Sequence, residues 1–404
     1  MRCLAAALAA LATGLLVAAT GARAQAPAAA PGPIVVGAVL AQTGMAADFA
    51  ADYRKGLLLW VEEANHAGGL LGRRLELKLL DDRSESADTE ALYRRLVEEF
   101  RADLLIGPWG SAATLGAIGA AERAKRVLVN GGGAARSLHR RARSWVVQVA
   151  TPYAAWSEAA VAAALEYGVK RAMVLARNDP VAREMGAQAV ELAERAGLQV
   201  GMLEVVGPGT TDFAPFVDKA RDAQVDAWIA FGQPFEAAEM VKTFKTLGYA
   251  PLLFVAQGAE APSFVKAVGQ DAEHAIGFVP WGPGFPTRDN AAFVAAYTAK
   301  FSATPGYGAA EGHAAGRVLA EAVRKAGTLE QQAVRNALSA LETETPLGAY
   351  RVDPVTGAQR AARVALVQIQ RGRPVAVWPA ALAAGKAQLP YPRWNERTLL
   401  KPRN

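Results

Sequence analysis

Two glycine-rich turns follow consecutive apolar segments of the chain and contain residue types that can bind a small polar ligand. Gly107-Pro108-Trp109-Gly110-Ser111 ends one apolar segment, and Asn130-Gly131-Gly132-Gly133 ends the next. Ser111 stands where a helix would begin, and the first N–H groups of a helix attract an anion or a carbonyl oxygen because they have no partner inside it. Glycine lets a ligand approach the backbone closely. The two turns therefore indicate a binding site built from main-chain amides and a hydroxyl.

Motifs for catalysis or nucleotide binding are missing from the sequence. Neither a Gly-x-x-x-x-Gly-Lys-Ser/Thr loop nor a Gly-x-Ser-x-Gly elbow occurs, and the four histidines are far apart. Asp81 and Asp82 end an apolar segment, but adjacent strand residues point to opposite faces, so we expect one of them to cap a turn. We therefore expect no catalytic residue, no metal and no cofactor.

The composition of the 404-residue chain is typical of a globular protein, and its beginning is typical of an exported one. Hydrophobic residues make up 52% and charged residues 20%, which suits a buried core. Arg2, the uncharged apolar run of residues 4–19 and Ala22-Arg23-Ala24 have the order of a secretory signal. We expect residues 1–24 to be a signal peptide, residues 25–33 a flexible leader, and the mature protein to be periplasmic.

The charge pattern does not favour a nucleic-acid partner. The formal net charge is +6, and the densest basic stretch, residues 136–143, has no aromatic side chains between its charges. Binding of single-stranded nucleic acid uses interleaved stacking side chains. We interpret this stretch as a solvated loop and expect no nucleic-acid binding.

Short apolar strands alternate with amphipathic helices along the chain, which indicates parallel sheets covered by helices on both faces. One series of predicted strands lies within residues 34–149 and a second within residues 172–279; later helices and three strands extend to residue 378. Ligands of open α/β sheets bind beyond the carboxyl ends of the strands. Two such sheets facing one another would form a ligand cleft at their junction.

Several segments in combination match one known family. They are Ile34-Val35-Val36-Gly37 leading to Gln42-Thr43-Gly44, Ala64-Asn65-x-x-Gly68-Gly69-Leu70-x-Gly72-Arg73, Leu80-Asp81-Asp82, Leu105-Ile106-Gly107-Pro108 and Thr345-Pro346-Leu347-Gly348-x-Tyr350. Over residues 34–379 the chain resembles the ABC-transporter substrate-binding proteins of the branched-chain amino acid (leucine/isoleucine/valine-binding) type. The resemblance implies the periplasmic binding protein type I fold, an α/β fold of two doubly wound Rossmann-like lobes joined by a three-strand hinge.

The same resemblance implies a division of the chain into lobes. Lobe one would combine residues 34–149 with 281–345, and lobe two would combine residues 150–280 with 346–378. Residues 379–404 would form a C-terminal tail on the surface. A small solute would be enclosed between the lobes and passed to an ABC permease in the inner membrane.

The resemblance also implies which residues of this sequence bind a ligand. Ser111 would hold a ligand carboxylate. In the second lobe, Gln233 stands where a tyrosine is usual and Gln257 where a glutamate meets the ligand ammonium. Ala182 replaces another tyrosine, which would leave that wall of the site open. Trp281, near the lobe crossover, is either a flat ligand wall or hinge packing. The complete predicted site is Phe49, Trp109, Gly110, Ser111, Gly132, Gly133, Ala134, Gln233, Gln257 and Trp281.

The two glutamines predict the class of ligand. A buried ammonium without its counter-charge costs about 3–5 kcal/mol, so we do not expect an ordinary α-amino acid. Glutamine side chains donate and accept hydrogen bonds, which suits a neutral amide, hydroxyl or carboxylate compound. We therefore expect a monomeric solute receptor without catalysis. A sensory receptor of the same fold and an exported amidase-type enzyme acting in the cleft are the alternatives.

Overall fold

The computed structural model describes residues 32–396. The predicted signal peptide, nearly all of the predicted leader and the end of the predicted tail (residues 397–404) lie outside the described residues. Between residues 32 and 396, no helix has the combination of length and apolar character that crossing a membrane requires.

Five parallel strands form the first sheet, in the order β2-β1-β3-β4-β5. The strands are β1 (Ile34–Leu40), β2 (Leu75–Asp81), β3 (Leu104–Ile106), β4 (Leu128–Asn130) and β5 (Val146–Gln148). Their leucine, isoleucine and valine side chains are mostly buried because helices cover both faces. The strand order reverses direction between β1 and β3, so the switch point at which open α/β sheets bind ligands lies beside the turn that follows β3.

Eleven α-helices lie within the described residues, and they divide between two sheets. Those that belong with the first sheet are α1 (Ala47–His66), α2 (Thr89–Glu98), α3 (Ser111–Ala124), α9 (Asn290–Phe301), α10 (Tyr307–Ala326) and α11 (Gln331–Ser339). Those that belong with the second are α4 (Ala154–Glu166), α5 (Pro180–Ala196), α6 (Ala214–Asp222), α7 (Pro234–Thr246) and α8 (Pro262–Val268). The late helices α9–α11 thus return to the lobe in which the chain began.

Helices α1 and α10 pack at very short range. A Cβ on Gly56 would lie 2.1 Å from the carbonyl oxygen of Ala309, and one on Gly312 would lie 2.3 Å from that of Tyr53. Only glycine permits so close an approach of two helix backbones. The contact fixes the N-terminal half of α10 beside α1.

The second sheet has seven strands in the order β14-β13-β10-β9-β8-β6-β7. Strands β6 to β10 are parallel, whereas β13 and β14 are antiparallel additions at one edge. Their bounds are β6 (Arg171–Arg177), β7 (Gln199–Val206), β8 (Ala227–Phe231), β9 (Leu253–Ala256), β10 (Ile276–Val279), β13 (Ala365–Gln370) and β14 (Arg373–Trp378). Strands β11 (Thr343–Thr345) and β12 (Gly348–Tyr350) form a separate hairpin.

Residues 346–360 lie with the first lobe, which corrects the boundary predicted after residue 345. Tyr350 and Val352 are buried in the core that includes β1 and α10, and the Tyr350 hydroxyl donates to the Leu338 carbonyl at 3.0 Å. The Gln359 N–H donates to Oε1 of Gln148 at 3.2 Å. The chain therefore returns to the second sheet only after Gln359.

Three segments cross between the two lobes, at residues 149–153, at residue 280 and at residues 360–364. Each lobe has cores of its own on the two faces of its sheet. The expected fold of two doubly wound α/β lobes is confirmed. The crossing at residues 149–153 directly follows the strand ends of the first sheet, so it runs along the base of the cleft.

Candidate functional site

The two glycine-rich turns lie side by side at the carboxyl ends of β3 and β4. Trp109 and Gly132 form a β-bridge between them, and the Gly110 N–H donates to the Gly132 carbonyl at 2.9 Å. Gly110 has a φ of +94°, a conformation that favours glycine. A Cβ on Gly132 would lie 2.7 Å from the carbonyl oxygen of Pro108. Glycine at both positions thus allows the turns to form one continuous surface.

Two buried polar side chains hold this surface in place. Asn130 accepts a hydrogen bond from the Gly133 N–H at 2.7 Å and donates one to the Gly133 carbonyl at 2.8 Å. The Tyr53 hydroxyl donates to the Gly107 carbonyl at 3.0 Å, and a Cβ on Gly131 would lie 2.2 Å from that hydroxyl. Burial raises the pKa of Tyr53, so it stays a neutral donor. The positions of the turn amides are therefore set before any ligand arrives.

Ser111, the first residue of α3, joins both turns through its hydroxyl. Its Oγ accepts hydrogen bonds from the N–H groups of Ala134 at 3.2 Å and Ala135 at 3.1 Å, and the Tyr153 side chain also hydrogen-bonds to it. The N–H groups of the first turn of α3 have no acceptor inside the helix. The structure thus brings together Gly110, Ser111, Gly132, Gly133 and Ala134; their contact with a ligand stays a prediction.

The predicted second-lobe residues follow β8 and β9. Gln233 and Gln257 line a small cavity together with Arg177 at the end of β6. The Arg177 guanidinium faces Glu236 (Nε to Oε1, 3.4 Å) and Asp179 (Nη1 to Oδ2, 3.7 Å). Gln233 is exposed and Gln257 is half-buried. The second lobe therefore offers two neutral amides beside an arginine already faced by two acids, and the sequence pattern had not singled out this arginine.

Trp281 belongs to the core of the first lobe, which corrects its prediction as a ligand wall. The side chain is 4% exposed and packs among residues of α1, α9 and α10. Its indole N–H donates to Oδ1 of Asn290 and to the Pro346 carbonyl, both at 3.0 Å. These contacts favour the other interpretation, packing beside the crossover.

Three other positions complete the comparison with the predicted site. Trp109 is half-buried and packs against the first-lobe core. The side chain of Phe49 lies outside the described part of the structure. Ala182 is buried in the second-lobe core, against which Tyr307 of the first lobe packs. Ala182 is thus a core residue in this structure, and its side chain borders no open space.

Asp81 and Asp82 hold loops, as predicted for at least one of them. Asp81 accepts hydrogen bonds from the N–H groups of Gln42 at 2.8 Å and Arg83 at 2.9 Å, and Asp82 accepts one from Ser84 at 3.0 Å. Although burial acts the other way, these donors lower the pKa of the Asp81 carboxyl. The pair therefore fixes the loop after β1, which leads to the cleft.

An unpredicted acidic side chain, Glu311, is buried in the first lobe near Ser111. Glu311 lies in α10, is 3% exposed, and has its pKa raised to about 8 by burial. Burial is the main cause of the raised pKa of the Tyr153 hydroxyl, and the charge of Glu311 adds to it. The signal in the sequence was a single charge among small residues, Ala309-Ala310-Glu311-Gly312.

The two lobes contact each other at the side of the cleft. The Arg136 N–H donates to Oε1 of Glu184 at 2.7 Å, and its guanidinium pairs with Glu191 at 3.0 Å. An open cavity of about 530 Å³ lies beside this contact, between Arg140 and the beginning of α5. A closed arrangement of the lobes is thus supported by charged groups at its rim.

Residues 33–374 match the family described as periplasmic binding protein. The chain belongs to this family. A Pseudomonas aeruginosa relative, the leucine-, isoleucine-, valine-, threonine- and alanine-binding protein, is 23% identical over 307 residues, covering 76% of this chain and 82% of the relative. This level of identity leaves the ligand of the present binding protein to be argued from its own residues.

Solved structures of similar fold have different ligands or none named. A putative branched-chain amino acid ABC transporter protein from Silicibacter pomeroyi has a TM-score of 0.79 at 18% identity, covering 89% of this chain and 99% of its own. A solute-binding protein of an ABC transporter from Rhodopseudomonas palustris BisB5, in complex with 3,4-dihydroxybenzoic acid, has a TM-score of 0.67 at 21% identity, covering 85% and 96%. At these identities the likeness shows the fold alone.

Proposed function

We propose that this periplasmic binding protein is a solute receptor that captures a small organic molecule between its lobes and delivers it to an ABC permease. The observation that carries the proposal is the continuous surface made by the two glycine-rich turns. The Ser111 hydroxyl lies there, at the switch point of the first sheet, beside the first N–H groups of α3, which have no acceptor inside the helix. The secretory pattern of residues 1–24 supports a periplasmic location.

The proposed ligand carries a carboxylate or an amide and is not a standard α-amino acid. Amide N–H groups at a helix start suit a carboxylate or carbonyl oxygen, and the second lobe supplies the neutral side chains of Gln233 and Gln257. The resemblance implies a glutamate for a ligand ammonium at the position of Gln257. The Rhodopseudomonas palustris protein with 3,4-dihydroxybenzoic acid supports the capacity of this fold for an organic acid.

Binding without reaction fits the surroundings of Ser111. A nucleophilic serine needs a base that takes its proton. The hydrogen-bonding groups found around the Ser111 hydroxyl are two main-chain N–H groups and the Tyr153 side chain. Tyr153 has a raised pKa and is a poor proton acceptor at neutral pH. The serine is thus suited to hold a ligand, and ligand contacts made only in the closed form would shift the lobes toward closure.

A thermal-shift screen of the mature chain tests the proposed function. The panel holds aromatic and aliphatic carboxylates, their amides and the common amino acids. A ligand at a hundred times its dissociation constant adds about 2.7 kcal/mol of stability. We expect the largest shift from a carboxylate or an amide, and we expect Ser111→Ala to weaken that ligand at least tenfold because a ligand oxygen loses its hydroxyl partner.

Two outcomes would contradict this proposal. A largest shift with leucine or valine would show that Gln257 does not exclude amino acids. Unchanged affinity in Ser111→Ala, with a melting temperature equal to that of the unmodified chain, would remove Ser111 from the site. Turnover of the bound ligand, followed by mass spectrometry, would replace the receptor by an enzyme.

A further inference from the structure

A second cavity between the lobes, here called the hinge cavity, lies beside the crossover segments. Its volume is about 440 Å³, within the range of small-molecule pockets. Its wall includes Pro152 of the first crossover segment and Ala362 of the third, together with residues of both lobes. The described lining contains neither Ser111 nor the two glutamines of the predicted site. The hinge cavity is therefore separate from the surface proposed to hold the solute.

Arginines outnumber acids on the wall of the hinge cavity. The charged side chains that line it are Arg136, Arg140, Glu158, Glu191, Arg195 and Arg360. Arg136 and Arg140 come from the basic stretch of residues 136–143, and both are exposed. Glu191 is shared by Arg136, at 3.0 Å, and Arg195, so one acid faces two cations. The balance of charge on this wall attracts an anion.

Arg140 has no ion-pair partner among the described residues. Arg360 differs in this respect, because its guanidinium pairs with Asp353 at 3.3 Å. His139, the residue before Arg140, adds no charge at neutral pH, since burial lowers its pKa to about 4. The guanidinium of Arg140 is thus available to a ligand in the hinge cavity.

Gln188 of α5 supplies an acceptor that lacks a partner. The residue is 5% exposed and lines both the hinge cavity and the open cavity beside α5. Its Nε2 donates to Oε1 of Glu184 at 3.3 Å, which fixes the orientation of the amide because a carboxylate only accepts. Within residues 32–396, no donor reaches the Gln188 Oε1. A buried acceptor without a partner is costly, so this oxygen indicates a donor that comes from a ligand.

Arg140 and Gln188 belong to different lobes and require opposite partners. Arginine N–H groups bind the oxygens of a carboxylate or a phosphate group. The Gln188 oxygen requires an O–H or an N–H group. One small oxyanion that carries a hydroxyl group supplies both partners.

We propose that the hinge cavity is a second binding site, which holds a small oxyanion with a hydroxyl group between Arg140 of the first lobe and Gln188 of the second. The oxyanion is a phosphate with a protonated oxygen or a hydroxy acid, since both present the same two groups. This site is additional to the solute site of the proposed function. An anion that contacts both lobes favours their closed arrangement, because it loses one of its contacts when they separate.

Two matched pairs of probes test the chemistry of the site. Phosphate and sulfate, and malate and succinate, are titrated by calorimetry into the mature chain at pH 6.5. Phosphate at this pH and malate carry a hydroxyl group, whereas sulfate and succinate do not. We expect the hydroxyl-bearing member of at least one pair to bind at least tenfold more tightly than its match, because only that member satisfies Gln188. The pair that responds distinguishes a phosphate from a hydroxy acid.

Variants of the wall locate the bound anion. Arg140→Ala should weaken its binding at least tenfold, whereas Arg141→Ala, which removes a neighbouring exposed cation outside the cavity lining, should retain it. Gln188→Leu should abolish the difference within the responding pair. Glu158→Gln removes an acid from the wall and should strengthen binding, a gain that a misfolded chain would not give.

The inference is overturned by equal binding within both pairs, or by the absence of saturable binding of all four probes at millimolar concentration. Equal losses in Arg140→Ala and Arg141→Ala would show a general effect of charge and would also overturn it. Selectivity that persists in Gln188→Leu, at an unchanged melting temperature, would remove Gln188 from the site. If Gln188→Leu does not fold, the comparison of Arg140→Ala with Arg141→Ala decides. A failed screen for the cleft solute counts against the proposed function alone.

Discussion

Glu311→Gln should change how the stability of the protein depends on pH. The pKa of the carboxyl is raised from 4.5 to about 8 by burial. Below pH 4.5 the folded and unfolded states are both protonated, so the group does not favour either. Between pH 4.5 and pH 8 the unfolded chain ionises and the folded protein does not, so stability falls as pH rises. Above pH 8 both states are ionised and the loss is complete.

The size of this loss follows from the linkage between the pKa difference and the free energy of unfolding. Each tenfold change in proton affinity corresponds to 1.36 kcal/mol, so the raised pKa of Glu311 amounts to a loss on the order of 5 kcal/mol by pH 8. Glu260, whose pKa is raised to about 6 by burial, adds a smaller loss of the same sign between pH 4.5 and pH 6. The amide of Glu311→Gln cannot ionise, so the variant keeps only the smaller loss.

The effect is measured by guanidinium unfolding at pH 5, 6, 7, 8 and 9, with circular dichroism as the signal. Three proteins are compared: the unmodified chain, Glu311→Gln and Glu321→Gln, which alters another glutamate of α10. The difference in unfolding free energy between Glu311→Gln and the unmodified chain should increase by several kcal/mol from pH 5 to pH 8 and then level off. Glu321→Gln should follow the unmodified chain in parallel. Parallel curves for all three proteins would show that Glu311 ionises freely in the folded state and would refute the reasoning.

Two further predictions concern residues that position the cleft. Trp281→Ala should lower the unfolding free energy by about 3–5 kcal/mol because it leaves a cavity and removes the donor to Asn290 and Pro346. If chemical denaturation gave a decrease in unfolding free energy of less than about 1 kcal/mol, this side chain would not be a core residue. Gly131→Ala should weaken binding of the ligand found in the screen, because the new Cβ would lie 2.2 Å from the Tyr53 hydroxyl. Adding Tyr53→Phe to the same chain should partly restore the affinity, measured by calorimetry. An unchanged affinity in Gly131→Ala would show that the turn tolerates displacement.

Local pattern was enough to predict the elements that are bounded by turn residues. Strands β1 to β5 lie within the predicted residues 34–149, and β7 to β10 lie within the predicted residues 172–279. Helix α4 was not predicted, and its composition gives the reason. Two of the four residues on its exposed face are apolar (Ala162 and Leu165, beside Glu158 and Glu166), so the helical periodicity of the sequence is weak.

Some residues of the candidate site can be predicted from local sequence features, whereas others depend on tertiary packing. The two glycine-rich turns were recognisable because a strand end, glycines and a helix start are all local features. Glu311 was not recognisable, because its burial depends on α10 returning to pack against α1 more than 240 residues later in the chain. The prediction for residues 346–360 is wrong for a related reason. The sequence of a short hairpin does not indicate which core the hairpin covers.

The balance of charge at the cleft connects Glu311 with Gln257. The resemblance implies a glutamate for a ligand ammonium at the position of Gln257, whereas the acid that the structure buries, Glu311, lies in the first lobe. The acid in the first lobe does not provide a site for an ammonium, because burial raises the pKa of Glu311 to about 8 and keeps the carboxyl group neutral at pH 7. The Arg177 guanidinium is faced by both Asp179 and Glu236, so it adds no unbalanced positive charge to the second lobe. The neutral amides of Gln233 and Gln257 therefore favour the proposed ligand, a carboxylate or an amide, over an amino acid.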